Sequence, residues 1–296
     1  MAFAPLPIRG FIPTGLGMLG LVLAGCGSFP IERPAGGSHF TADVAPAPHT
    51  LTPIVAPGKF ATRRGYYVVY HDFELDPHEP LFAELDALPE QVGRELNLPL
   101  SDGVVQVFLF DTQERYERFM HRKYPELPKR RAYFLSQPRA GGYDELKIYT
   151  WMGDHLTTDL RHELTHALLR GALKEVPLWL DEGLAGYFEL LPAQAGINSG
   201  HLEALLRPSF RPNLARLEKF TQVAQMEKPE YREAWAWVYF MLHSGPATQK
   251  VLHDYLQALR TNPNPGPLLP RLREVVPDPD QALTNFLLTV EVPTKK

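Results

Sequence analysis

The chain has 296 residues, is 44% hydrophobic and 22% charged, and carries a formal net charge of -4. That is an ordinary globular composition, long enough for one large or two small domains. The slight acidity argues against a nucleic-acid partner, which calls for a basic surface.

Residues 1–25 read as an export signal. Arg9 gives a weakly positive start, and an apolar stretch follows from Phe11 to Ala24. The stretch is too short and too rich in glycine to make a comfortable membrane span. It ends in Leu23-Ala24-Gly25-Cys26, which resembles the lipobox of bacterial lipoproteins, where the cysteine is lipidated and becomes the mature N-terminus. Cys26 is the only cysteine in the chain, and that position suits an anchor better than a structural role. The resemblance implies a protein held on a membrane of the cell envelope, facing the periplasm or the exterior. Residues 26–58 carry Pro30, Pro34, Pro46, Pro48, Pro53 and Pro57 and read as an extended tether.

Compact structure is expected from residue 59. Residues 59–152 read as a small α/β lobe, because strand-like runs alternate with helical spacing. Tyr66–Tyr70, Val104–Phe110, Ala132–Ser136 and Leu146–Trp151 are β-branched and aromatic runs, the last two separated by a Gly141-Gly142 turn. Leu81–Leu98 has helical spacing, and Asp111-Thr112 offers a cap for a helix to about Arg122. Residues 153–296 read as a helical lobe, with segments at 199–206, 214–220, 231–242, 247–260 and 279–290 and a proline-rich turn at Pro263–Pro270. Trp235 and Trp237 in the third of these helices suit the core. The fold class expected is α+β.

The most informative stretch runs from Asp159 to Glu189. His162, Glu163 and His166 form the pattern H-E-x-x-H. On an α-helix, positions i and i+4 lie one turn apart on one face, so both imidazoles can address one metal ion. Glu163 sits about 100° round the helix and can reach a water on that metal without ligating it. Leu160, Leu164, Ala167 and Leu168 keep helical spacing, with Thr157, Thr158 and Asp159 as N-cap candidates and Gly171 as a stop. Pro177 then opens a second helix whose apolar stripe contains Glu182. A carboxylate set in a packed apolar helix is costly unless it is paired or coordinates a metal, which makes Glu182 the favoured third ligand. Asp181 and Glu189 compete for that place, and Glu189, seven residues on, could instead sit behind a ligand histidine. Two histidines and a glutamate with one open position make a catalytic zinc arrangement.

HELTH followed by LWLDEGLAGYFE resembles the gluzincin metallopeptidases, in particular the aminopeptidase-N-like branch and bacterial envelope proteins with the same two helices. The matching positions are His162, Glu163, His166, Glu182, Gly183, Ala185, Tyr187 and Glu189. The spacer of fifteen residues between His166 and Glu182 is shorter than in aminopeptidases, and the glycine-rich exopeptidase motif is missing upstream. The resemblance implies a zincin-like fold with the H-E-x-x-H helix at the cleft. It implies Zn²⁺ on His162, His166 and Glu182, Glu163 as general base, and a peptide or protein as substrate. It also implies that Tyr231 steadies the oxyanion, with Tyr187, Tyr239 and His243 as lesser candidates. One strand, Ala132–Ser136 or Leu146–Trp151, would form the edge that pairs with substrate. The expected activity is zinc-dependent hydrolysis of peptide bonds at the envelope. The alternatives are a zincin-fold lipoprotein that binds or scaffolds without turnover, and hydrolysis of another amide such as a cell-wall linkage.

Overall fold

A computed structural model describes residues 22–24, 54–100, 103–138 and 144–291. Cys26, the expected signal apart from Val22–Ala24, most of the tether and the Gly141-Gly142 turn lie outside the described residues.

Five strands form one mixed sheet: β2 (Phe60–Arg63), β3 (Tyr67–His71), β4 (Val105–Phe110), β5 (Tyr133–Pro138) and β6 (Asp144–Trp151). The spatial order is β5-β6-β4-β3-β2, and the strand β1 (Val22–Ala24) lies antiparallel outside β5. β4 runs parallel to both β3 and β6, while β2 and β5 are antiparallel to their neighbours. Parallel neighbours need a crossover, and helix α1 (Pro80–Leu96) links β3 to β4.

Side chains alternate across the sheet, as a period of two requires. On one face Val105, Val107, Leu109, Phe134 and Ile148 join the main core, which α1 covers with Phe82, Leu85, Leu88 and Val92. On the other face Phe110, Tyr133, Leu135 and Tyr149 pack on helix α2 (Gln113–Lys123) through Tyr116, Phe119 and Met120. Thr112 caps α2 as expected, its side chain accepting from the Arg115 N–H.

The rest is helical: α3 (Leu156–Ala172), α4 (Leu178–Phe188), α5 (Ser199–Leu205), α6 (Leu214–Leu217), α7 (Lys228–His243), α8 (Pro246–Leu259), α9 (Leu269–Val275) and α10 (Pro279–Leu287). The chain is therefore mixed α and β, in keeping with the α+β expectation. One apolar core runs without a break from the sheet through these helices. No helix among the described residues is long and apolar enough to cross a membrane.

Several expectations need correction. β2 was not foreseen, because Phe60–Arg63 is short and largely exposed and carries no apolar alternation. α9 begins within the expected proline-rich turn, where Pro270 occupies the first turn of a helix that needs no N–H there. α3 starts at Leu156, so Thr157, Thr158 and Asp159 lie inside it rather than capping it, and it runs one residue past Gly171 to end at Ala172. Leu146–Trp151 belongs to β6, interior to the sheet, and β1 covers the outer side of β5, so neither expected run is a free edge in this structure.

Candidate metal centre

Helix α3 is deeply enclosed over its middle turns. Every residue from Asp159 to Leu169 is buried, although the run includes Asp159, Arg161, His162, Glu163, Thr165 and His166. Burying so many polar groups is costly unless each has a partner, so their partners define the site.

Arg161 is fully buried and uses its whole fork. It donates to the carbonyls of Phe188 at 3.0 Å, Leu190 at 2.9 Å and Glu84 at 3.1 Å, and to Gln91 Oε1 at 2.8 Å. It thereby ties α3 to α1 and to the last turn of α4. That turn carries Glu189, whose Oε2 lies 2.9 Å from His162 Nδ1. One helical turn along α3, His166 Nδ1 lies 3.0 Å from Asp181 Oδ2, an ion-pair distance, though the ring N–H is not aligned with the oxygen. Each histidine thus has its Nδ1 side set against a carboxylate, and its Nε2 side faces inward. There Glu182 Oε2 lies 3.5 Å from His162 Nε2 and 3.8 Å from His166 Nε2. One ligand atom from each of the three residues falls within 4.8 Å of the others.

The closeness of α4 depends on a glycine. A Cβ on Gly183 would sit 2.6 Å from the Ala234 carbonyl oxygen of α7, well inside contact distance. Gly183 follows Glu182 directly, so the tight crossing of α4 over α7 sets the carboxylate's position.

Electrostatics separates the two glutamates. Burial pushes the Glu163 carboxyl up to about 7, against the pull of the His162 and His166 imidazoles. Burial acts on Glu182 in the same sense, but His162, His166 and Arg130 outweigh it and hold its carboxyl below the usual range. Burial lowers the His166 pKa, and the Asp181 and Glu182 charges reverse that and raise it. Both oxygens of Glu163 and the Nε2 of His166 are buried without a hydrogen bond. Buried polar atoms left so are uncommon in folded proteins and ask for an ion or water. The residues present fit a divalent metal: two imidazoles and a carboxylate converge, and carboxylates stand behind both rings.

The other candidates divide. Tyr231 sits in the first turn of α7, half-buried against the main core and near enough to Arg130 for the two to interact electrostatically. Tyr187 points elsewhere: its hydroxyl donates to Glu95 Oε2 at 3.0 Å and lies 2.9 Å from His243 Nε2. His243 in turn stacks on Tyr239, ring centroids 4.4 Å apart. Tyr187, Tyr239 and His243 are therefore committed to one another. Trp235 and Trp237 are fully buried, as their place in the core requires.

Arg161, the Asp181 contact, and the pairing of Arg131 Nη2 with Asp159 Oδ1 at 2.7 Å escaped the sequence reading. The only hint of them was charge on the apolar faces of two short helices. No protein-family model matches this chain, and no curated protein is similar enough to it to count as a relative, so the site's own chemistry carries its functional reading.

Proposed function

We propose that the protein is a zinc-dependent metallohydrolase of peptide bonds, of gluzincin type, tethered at the bacterial cell envelope through Cys26. The observation that carries this reading is the convergence of His162, His166 and Glu182 within 4.8 Å beside the buried, unbonded carboxyl of Glu163. His162, His166 and Glu182 would hold the ion. When bound, Zn²⁺ supplies Lewis acidity to the attacking water and the scissile carbonyl. Glu163 takes the water's proton and delivers it to the leaving amine, a task suited to a carboxyl pushed up to about 7. Tyr231 donates toward the oxyanion. Glu189 and Asp181 hold the two imidazoles in register.

The zincin-like cleft would lie along β5, whose Phe134 stacks over His166 at 6.4 Å between centroids. Removal of residues 1–25 as a signal would take Val22–Ala24 from the outer edge of β5 and leave that edge open to an extended peptide. Zinc is preferred over other divalent ions because two imidazoles and one carboxylate with a free position suit its tetrahedral geometry.

The second reading is a module that binds without turnover. It draws support from the near-complete burial of His162, Glu163, His166 and Glu182. A peptide-library digest with the zinc-loaded protein separates the two. Cleavage that disappears in Glu163→Gln establishes the hydrolase. A stoichiometric zinc content with no cleaved product establishes the binding module.

A further inference from the structure

Two adjacent arginines lead into β5, and only one of them is answered. Arg131 pairs with Asp159 on α3. Arg130 is half-buried, yet its guanidinium donates no hydrogen bond and forms no ion pair among the described residues. It lies against the Tyr133 ring, with Cζ 5.9 Å from the centroid.

Its backbone is held firmly. The Tyr116 hydroxyl donates to the Arg130 carbonyl at 2.9 Å, and Tyr133 donates back to the Pro128 carbonyl in the same segment. The side chain is close enough to Glu182 and Glu163 to interact with both electrostatically. Burial lowers the Arg130 pKa, but Tyr231, Glu182, Tyr133 and Glu163 around it reverse that and raise it. Of the two carboxylates among these groups, Glu182 is set toward the metal ligands and Glu163 toward proton transfer.

A half-buried guanidinium whose N–H groups meet no acceptor is costly, and its planar fork matches a carboxylate in two parallel hydrogen bonds. We propose that Arg130 is the specificity residue of this site and binds a carboxylate carried by the peptide substrate, either its C-terminus or an acidic side chain. This rests on the zinc-hydrolase reading above. Arg130 selects the substrate, and Tyr231, close enough to interact with it, answers the oxyanion.

The test uses zinc-loaded protein and dipeptides capped with a hydroxamate, which seeks the metal whether or not turnover occurs. Four probes differ only in charge: leucyl-alanine with a free C-terminus, its C-terminal amide, and amidated leucyl-aspartate and leucyl-asparagine. Affinities come from calorimetry on the unaltered protein, Arg130→Lys and Arg130→Gln, with zinc content and melting temperature recorded for each. We expect one carboxylate-bearing probe to bind the unaltered protein about tenfold or more tightly than its neutral twin. Arg130→Lys keeps part of that preference, and Arg130→Gln abolishes it while still holding zinc and the neutral probes. The probe that gains identifies the C-terminus or the side chain as the source of the carboxylate. Equal affinities within each pair, a preference that survives Arg130→Gln, or a uniform loss for neutral and charged probes alike would overturn the assignment. If neither zinc nor any hydroxamate binds, the metal reading itself has failed and the assignment falls with it.

Discussion

Helix α4 stands between two polar clusters built from the same residue types. On one side Glu182 meets His162 and His166. On the other, five residues further along α4, Tyr187 meets Glu95 and His243. The second cluster is closed. The Tyr187 hydroxyl lies within hydrogen-bonding distance of both partners, Glu95 also accepts from Gln91 Nε2 at 3.1 Å, and burial keeps His243 below its ordinary pKa. The first cluster is open, because Glu163 and the inner face of His166 are buried with nothing to bond. Folding stability favours closing every buried hydrogen bond, so a cluster that stays open has another purpose. The difference between the two lies in unmet bonding capacity, and the residue types alone do not reveal it.

The comparison breaks most sharply at Glu163. Glu163→Gln should keep the metal and cut peptide turnover by roughly 10²–10⁴-fold, the range for a general base. Metal analysis and turnover measured on one preparation check this, and full activity in that variant would end the base assignment. His162→Ala or His166→Ala should remove the metal, and undiminished metal would refute the ligand set. Gly183→Ala forces α4 away from α7, since its Cβ would meet the Ala234 carbonyl at 2.6 Å. Overpacking of that kind costs about 1–3 kcal/mol, read by chemical denaturation, and should weaken metal binding as well because Glu182 is the neighbouring residue.

Subtler changes sharpen the contrast. Glu189→Gln and Asp181→Asn act on the open cluster without touching the ion, and each should weaken zinc binding about 10–100-fold in a chelator competition. Tyr187→Phe acts on the closed cluster. It should cost about 1–2 kcal/mol of stability, because Glu95 and His243 lose a partner, and leave zinc affinity unchanged. If Tyr187→Phe lowered zinc affinity and Glu189→Gln did not, the roles given to the two sides of α4 would have to be exchanged.

The smallest effect is one of pH. Burial lowers the pKa of His201 to about 4, with the Glu189 charge opposing and Arg232 assisting. A histidine depressed in the folded state takes its proton more readily when unfolded. Stability is therefore full above about pH 6.5 and falls as the pH drops from there toward 4, by on the order of 2 kcal/mol. Replacing His201 with Phe keeps a ring against Trp235, whose indole His201 meets edge-on at 5.6 Å, and should flatten that slope in pH-dependent melting.

Much of this site was legible in local pattern. The four-residue spacing of His162 and His166, the costly placement of Glu182 in an apolar stripe, and Glu189 behind a ring all follow from helix geometry, which acts over one or two turns. What stayed hidden acts over distance. Arg161 binds Gln91, seventy residues away, and carbonyls in two other helical regions, and nothing in its own neighbourhood announces this. Asp181 looked like a rival to Glu182 and instead lies beside His166. The tyrosines of the α4 and α7 patterns looked alike, and packing committed Tyr187 to Glu95 while Tyr231 stayed near Arg130.

By itself the sequence determined the two helices, the face each offers and the kinds of donor atom on those faces, because backbone periodicity is a short-range property. The tertiary structure decided which faces meet. It brought α4 against α7 at Gly183, tied its end to α3 through Arg161, and left the Arg130 guanidinium near Glu182 and Glu163 without a hydrogen bond among the described residues. Those outcomes depend on the close packing of surfaces far apart in the chain, where a single missing Cβ or one buried guanidinium sets the distance between helices.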